Sequence, residues 1–435
     1  MLIVNINGKV LVGERRIMAN KMQWINALSI NPSLEKAIDE VVDKIKSKLD
    51  GNADLGIIFI SSAFASDYPR LMPILLDKLP LPCVIGCGGG GIVGMKNDYQ
   101  PQEIEGNPAL SLTVASLPDV EITPFHIIPD DLPDLDSPPS AWCSMFGVEI
   151  QKEPNFILLS DPFSAKINEL LEGLDFAYPG AVKIGGLAST STMGVGSGLF
   201  YYDGSNSDQL FRTEGTVGIA LTGNIQVESI VAQGCRPIGE TYQVTKGQRN
   251  VILEMSDREG KIDSPLNLLR ELINSLSGED QELAQYALFM GIARDEFKLE
   301  LGAGDFLIRN LVGVDPKYGA IAVGDKIRTG QRIKFHLRDA KASADDLETL
   351  LATYYNNKQS LDQTIGALMF SCLGRGEGLY GKPNFDSQLF LDYVTDIPIA
   401  GFFCNGEIGP VAGNTFLHGY TSVFGIFSSK DTVID

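Results

Sequence analysis

The chain has 435 residues, 44% hydrophobic and 21% charged, with 35 Lys+Arg against 55 Asp+Glu for a formal net charge of −20. That length carries two or three domains with ample core. The acidic balance argues against nucleic acid and anionic membrane surfaces as partners, because both are held by neutralising phosphates, and no apolar run approaches a membrane span.

The segment Met1 to Trp24 lacks a basic region ahead of a continuous apolar stretch and does not read as a signal peptide. Residues 1–23 are expected to be an N-terminal extension. Asn31-Pro32 predicts a helix start, with Asn31 as N-cap and proline in the first turn; Leu34, Ile38, Val41, Val42, Ile45 and Leu49 then share one helical face. A buried strand follows over Leu55 to Ile60, a helix around Tyr68 to Lys78, and a strand over Pro82 to Ile85 that enters the glycine-rich Gly86 to Gly94.

That order recurs. Asn155 to Ser160 reads as a strand, about Phe163 to Gly173 as a helix, and Val182 to Ile184 as a strand running into Gly185 to Gly198. A third copy comprises Ala367 to Phe370, a helix near Asp386 to Tyr393, and Ile399 to Phe403. The pattern is an internal repeat of strand, helix, strand and glycine turn. Between copies, Ala109 to Ala115 with Glu121 to Ile127, and Thr216 to Leu221 with Ile225 to Val231, read as hairpins. The Pro/Asp-rich Asp130 to Ser140 reads as a mobile or disordered connector. Ser264-Pro265 caps a helix to about Leu276, and Ser343 with Asp346 forms a capping box for a helix to about Tyr355. The fold class is mixed α/β, with mixed sheets covered by helices, and a boundary is expected near Gln233 to Tyr242. Two modules of 24–235 and 236–428 and a tail of 429–435 follow.

The glycine run Gly86 to Gly91 is not a phosphate loop, since no G-K-[ST] follows; GIVGMKNDYQPQ reads as a loop rather than the helix a dinucleotide fingerprint needs. The six cysteines form no C-x-x-C pair, which predicts reduced thiols and a cytoplasmic location. With three histidines, His126, His336 and His418, metal chemistry is disfavoured.

The richest stretch is Pro398 to Thr421, where a buried strand ends in Cys404, Asn405, Gly406, Glu407, Ile408 and Gly409, followed by His418 and Thr421. A carboxylate between glycines at a strand end lets backbone close on a ligand. A second strand end, Gly366 to Gly378, brings Cys372 and Arg375. Tight turns with structural ion pairs explain the same residues without any ligand.

Several segments, LGIIFISSAF (Leu55 to Phe64), VIGCGGGGIVG (Val84 to Gly94), KIGGLAST (Lys183 to Thr190), QGCRPIG (Gln233 to Gly239), GDFLIRNLVG (Gly304 to Gly313), FHLRDA (Phe335 to Ala340), FSCLGRG (Phe370 to Gly376) and GFFCNGEIGP (Gly401 to Pro410), together resemble the FIST (F-box and intracellular signal transduction) family over about Trp24 to Phe427. Four glycines after Cys87 depart from the small-polar and acidic turn of related N-terminal modules. The resemblance implies a stand-alone sensor of small ligands, with amino acids as the expected class, an unidentified signalling protein as partner, and no cofactor. In that reading Arg375 pairs with a ligand carboxylate and Glu407 receives its ammonium. Asn405, Gly406, Gly409, His418 and Thr421 line the site, and Arg309, Arg236 and Asp305 are secondary candidates. Three alternatives remain open. Some FIST-like proteins sense nitric oxide through haem, for which His418, His336 or His126 would be the axial ligand. Cys372 or Cys404 with a histidine and Glu407 supplies the parts of a hydrolase. A protein-interaction scaffold needs no cleft at all.

Overall fold

The computed structural model describes residues 21–430 apart from 99, 165, 191–197, 206–208, 296, 359–360 and 362, so most of the expected extension and tail lies outside the described residues. No described helix is long and apolar enough to cross a membrane.

The strands form four sheets. Sheet I has the order Gln23–Ser29, Leu110–Ser116, Leu55–Ser61, Val84–Gly89, Leu199–Tyr202, Phe211–Arg212. Sheet II runs Val120–Ile127, Thr216–Gly223, Asn155–Ser160, Lys183–Leu187, Glu407–Val411, Asn414–His418. Sheet III runs Gln226–Ala232, Ser422–Ser428, Thr364–Cys372, Ile399–Cys404, Gly91–Asn97, Gln100–Glu105. All three share one plan: two antiparallel strands, a parallel pair, then an antiparallel hairpin. The hairpin is donated cyclically. The chain leaving the parallel pair of sheet I supplies the hairpin of sheet III, that of sheet II supplies sheet I, and that of sheet III supplies sheet II. The repeat read from the sequence is thus a pseudo-threefold assembly.

Sheet IV interrupts the third repeat between Gln226–Ala232 and the helix Ala340–Asn357. Its order is Arg236–Gln248, Arg332–Leu337, Leu288–Ala293, Phe306–Asp315, Ala320–Val323, Val251–Ser256, Ile262–Asp263, and pairing of Arg236–Gln248 with Val251–Ser256 closes the first six strands into an antiparallel barrel. The chain passes from the threefold assembly to the barrel at residues 233–235.

Alternation along the strands divides the core. Ile57, Phe59, Ile157, Leu159, Leu368 and Phe370 face inward, where the three sheets meet in one apolar cluster; Ile58 and Ile60, Leu158, and Ala367 and Met369 face out against helices. Both faces being buried, these strands read as continuous apolar runs. Phe59 stacks on Phe402 across sheets at 5.1 Å between ring centroids. Burying such a side chain contributes about 1.5–3 kcal/mol.

Several local expectations change. The helix Leu34–Lys48 is capped by Ser33, not Asn31, because the Ser33 hydroxyl reaches the Lys36 N–H while the Asn31 side chain accepts the Ser33 N–H. The second-repeat helix is Ile167–Ala177, starting later than expected. Asp339 caps Ala340–Asn357, which frees Ser343 and Asp346 to clasp the Gly234 backbone: the Ser343 hydroxyl donates to its carbonyl at 3.0 Å and Asp346 accepts its N–H at 2.8 Å. The connector at Asp130 to Ser140 holds a 3₁₀ turn at Pro129–Asp131 and the first residues of the helix Pro139–Phe146. Neither expected hairpin forms. Leu110–Ser116 belongs to sheet I and Val120–Ile127 to sheet II, while Thr216–Gly223 and Gln226–Ala232 part into sheets II and III. Each short turn is a crossing between sheets, which strand alternation cannot distinguish from a hairpin. The segment after the glycine run, expected to be a loop, is the paired hairpin Gly91–Asn97 and Gln100–Glu105.

The glycines permit close backbone approach. A Cβ on Gly86 would lie 2.2 Å from the Ile58 carbonyl oxygen, one on Gly185 1.8 Å from that of Leu158, and one on Gly401 1.8 Å from that of Met369. These are equivalent positions in the three parallel pairs. Gly401→Ala is expected to destabilise the protein by about 1–3 kcal/mol or more, read as a lowered urea midpoint; an unchanged midpoint would contradict this packing.

Candidate functional site

The parallel strands Thr364–Cys372 and Ile399–Cys404 end side by side, with Cys372 and Cys404 in register. In sheets of this kind ligands gather beyond the carboxyl ends of strands. Three further segments meet there: Gly234 and Cys235 from the crossing into the barrel, Arg338 just after the barrel strand Arg332–Leu337, and Tyr420 and Thr421 ahead of Ser422–Ser428. A Cβ on Gly374 would lie 3.7 Å from Arg338, 3.7 Å from Tyr420 and 3.8 Å from the Cys372 sulfur, so these three side chains converge at the junction of barrel and threefold assembly.

Glu407 opens the strand Glu407–Val411 and is fully buried. Its Oε2 accepts the Thr421 N–H at 3.1 Å, while Oε1 has no partner among the described residues. Burial pushes its carboxyl well above the usual range, against the pull of the Thr421 amide, Arg375 and Arg338.

Arg375 is also fully buried, but it is committed. Nε and Nη2 bind Asp386 at 2.6 and 2.9 Å, Nη2 also donates to the Tyr380 hydroxyl at 2.5 Å, and Tyr380 donates to Asp386 at 2.8 Å. Burial opposes its charge, yet Asp386, Tyr380 and Asp346 together outweigh burial and the guanidinium stays firmly protonated. Its counter-ion is internal.

Arg338 stands differently. It is buried, donates from Nη2 to the Gly374 carbonyl at 2.8 Å, and lies with its guanidinium carbon 4.7 Å from the Tyr420 ring centre. Its Nε has no partner, and no carboxylate lies within ion-pairing distance among the described residues. Burial, then Arg375, draw its pKa below the ordinary arginine value. A buried guanidinium without a counter-ion beside a buried carboxyl with an idle oxygen is an arrangement that a ligand can complete.

The FIST N domain model matches residues 54–258 and the FIST C domain model residues 265–410. The chain belongs to the FIST family. FIST modules are sensory domains of signal transduction. An uncharacterised protein of Mycobacterium tuberculosis is 34% identical to this FIST protein over 401 residues, covering 92% of this chain and 98% of the relative. An F-box/LRR-repeat protein of Arabidopsis thaliana is 22% identical over 475 residues, covering 94% of this chain and 86% of that one. Among solved structures, cyanuric acid hydrolase from A. caulinodans aligns over 94% of this chain and all of its own, at 9% identity and a TM-score of 0.31, a likeness too distant to inform on activity.

The remaining residues singled out in the FIST sequence are placed as follows. Thr421 is beside Glu407 and lends it an amide. Asn405 and Gly406 join the threefold axis, where the Asn405 N–H donates to the Leu187 carbonyl at 3.1 Å and the Gly406 carbonyl accepts the Leu187 N–H at 2.8 Å. Gly409 packs against Val231 and Val423. Arg309 binds Asp325 at 2.9 Å and the Leu417 carbonyl at 3.1 Å, Arg236 pairs with Asp280 and Asp339, and Asp305 pairs with Lys298. Arg338 itself was not singled out, although it lies in the FHLRDA segment; its signal was a cation immediately after an apolar strand, next to the interdomain turn.

Cys372 and Cys404 end neighbouring strands in register, while the three histidines lie in three different strands. Burial raises both the Cys372 and the Cys404 thiol, Cys404 well above its ordinary value, the reverse of an activated thiolate. The Cys372 sulfur accepts backbone N–H groups of Gly374 and Tyr420, and the Cys404 thiol donates to the Phe402 carbonyl. His418 is tied to the Gly409 carbonyl at 2.9 Å and His336 to the Lys334 carbonyl at 3.0 Å, and burial lowers both to about 4. His336 packs over Gly291 and Phe306, so an added Cβ on Gly291 would meet its ring at 2.3 Å. His126 holds the Glu214 carbonyl at 3.0 Å and receives Arg212 at 3.3 Å. The other ring nitrogens of the first two, His418 Nδ1 and His336 Nε2, are buried without a partner among the described residues, and His126 is half-buried.

Glu103 forms the outer wall of the Arg375 cluster. Its Oε1 accepts the Ser387 N–H at 2.8 Å, Oε2 is unpartnered, and burial followed by Asp386 pushes its carboxyl up to about 7. The folded state therefore keeps this proton longer than the unfolded chain, whose carboxyl titrates near 4.5. Stability contributed by Glu103 is lost as pH rises through that interval. Relative to wild type, Glu103→Gln should gain unfolding free energy between about pH 4.5 and 7 in urea titrations; a difference independent of pH would refute the assignment. Separately, Asp386→Ala leaves Arg375 buried and unpaired and should cost about 3–5 kcal/mol in the same assay, whereas a loss below 1 kcal/mol would mean the pair is dispensable.

Proposed function

We propose that this FIST protein senses a small zwitterionic metabolite, of the amino-acid class, bound between Arg338 and Glu407 at the junction of barrel and threefold assembly. The observation that carries this reading is the pairing of a buried guanidinium lacking a carboxylate with a buried carboxyl lacking a partner on Oε1. A ligand carboxylate supplies the counter-ion of Arg338, and a ligand ammonium lets Glu407 ionise against it. Arg375, first in line from the sequence, acts from behind: held by Asp386, it contributes its field and the shape of the wall. The site joins two structural bodies, where closure on a ligand can alter a surface read by a signalling partner. No step of covalent chemistry is assigned.

A thermal-shift screen of the purified protein against the amino acids and related zwitterions tests the reading. A ligand at 100 times its Kd stabilises by about 2.7 kcal/mol. That shift should vanish in both Arg338→Gln and Glu407→Gln, provided each variant still unfolds cooperatively. A shift that survives both substitutions would move the site elsewhere, and a screen without any shift would remove the support for an amino-acid sensor.

A further inference from the structure

The barrel carries a second constellation. Along the strand Arg332–Leu337, Ile333, Phe335 and Leu337 point into the barrel core, so Arg332 and Lys334 stand on the outer face. They lie in register with Gln243 and Thr241 of the neighbouring strand. Arg258, in the turn after Val251–Ser256, joins them, and the half-buried Leu301 with the exposed Leu299 lines the opposite side. The space between is a hollow of about 490 Å³.

Three features of this hollow ask for an anion. First, none of Arg258, Arg332 and Lys334 has an ion-pair partner among the described residues; Arg332 reaches only the Asp295 carbonyl, at 2.6 Å, and its buried Nε is unpartnered. Second, the cations act on each other: burial, then the charge of Arg258, lowers the pKa of Lys334. Third, the two carboxylates on the lining do not neutralise them. Asp257 Oδ1 is occupied by the Glu259 and Lys261 N–H groups at 3.0 and 2.9 Å, and Glu300 is exposed at the rim. In a chain of net charge −20, three cations without a direct ion pair around one hollow are a local exception, with Asp305, held by Lys298, the carboxylate that feels Arg332 from further off.

We propose that this hollow is a binding site for a small polyanion, with two or more acidic oxygens from phosphate or carboxylate groups. Arg332 grips one group through its fork of donors, Lys334 and Arg258 neutralise the charge, and the two leucines accept an apolar part. The site lies apart from Arg338 and Glu407 and does not depend on the function proposed for them.

Calorimetric titration at 0.15 M salt with inorganic pyrophosphate and, separately, succinate tests the proposal and distinguishes the phosphate from the carboxylate source. Saturable binding of at least one is expected, weakened at least tenfold in the Arg332→Gln/Lys334→Gln double variant and unchanged in Lys78→Gln, a surface cation of the first repeat. Should the double variant not fold, the single Arg258→Gln change, on an exposed turn, provides the same reading with a smaller loss. Absence of saturable binding of both anions, or binding indifferent to the substitution read out, would overturn it.

Discussion

The structure depends on how closely the backbones of each parallel pair can approach. Gly86, Gly185 and Gly401 each face a carbonyl that would collide with any side chain. The same economy of volume continues towards the axis. The Ser189 N–H donates to the Gly88 carbonyl at 3.1 Å, the Ser189 hydroxyl accepts the Gly90 N–H at 2.8 Å and donates to the Phe403 carbonyl, and Leu187 exchanges backbone bonds with Asn405 and Gly406. Three strand ends from three repeats thus satisfy one another's polar groups inside an apolar core. The glycine run at Gly86 to Gly91 serves this interlock, not a phosphate.

Cyclic exchange of hairpins follows from the same closeness. An isolated repeat would expose the edge of its second parallel strand, and each neighbour covers it with two more strands. Sheet II therefore receives Glu407–Val411 from the third repeat, and Glu407 arrives in the middle of the protein as the first residue of a donated strand. Its burial is a consequence of topology, and its raised pKa is a consequence of burial. Insertion of the barrel into the third repeat brings Arg338 to the same place. Two unfulfilled polar groups meet where two bodies join, and a sensory domain has reason to keep such a junction incomplete.

The buried charges around this junction divide into two kinds. Arg375, Asp386 and Tyr380 saturate one another and hold the loop between the strand Thr364–Cys372 and the helix Phe385–Tyr393 in one conformation. Arg338 and Glu407 are left with idle atoms. Removing a partner from the first set exposes a full desolvation penalty, whereas the second set already bears part of that penalty in the free protein. Satisfied and unsatisfied polar groups sit side by side at this junction and are told apart by their unmade hydrogen bonds.

By itself the sequence determined the class of the fold, the three strand–helix–strand copies, the helices over Tyr68–Lys78 and Pro265–Ser275, and the family. These rest on periodicity, capping and ordered motifs, all of which are local along the chain. Only the tertiary structure decided which strands pair, since Leu110–Ser116 and Val120–Ile127 have the alternation of a hairpin yet lie in different sheets. Only it decided that Asp386, eleven residues beyond Arg375, takes that guanidinium, and that Arg338, 69 residues before Glu407, is left without a carboxylate. Partner choice among charges is set by distances across the fold, and the sequence carries no record of those distances.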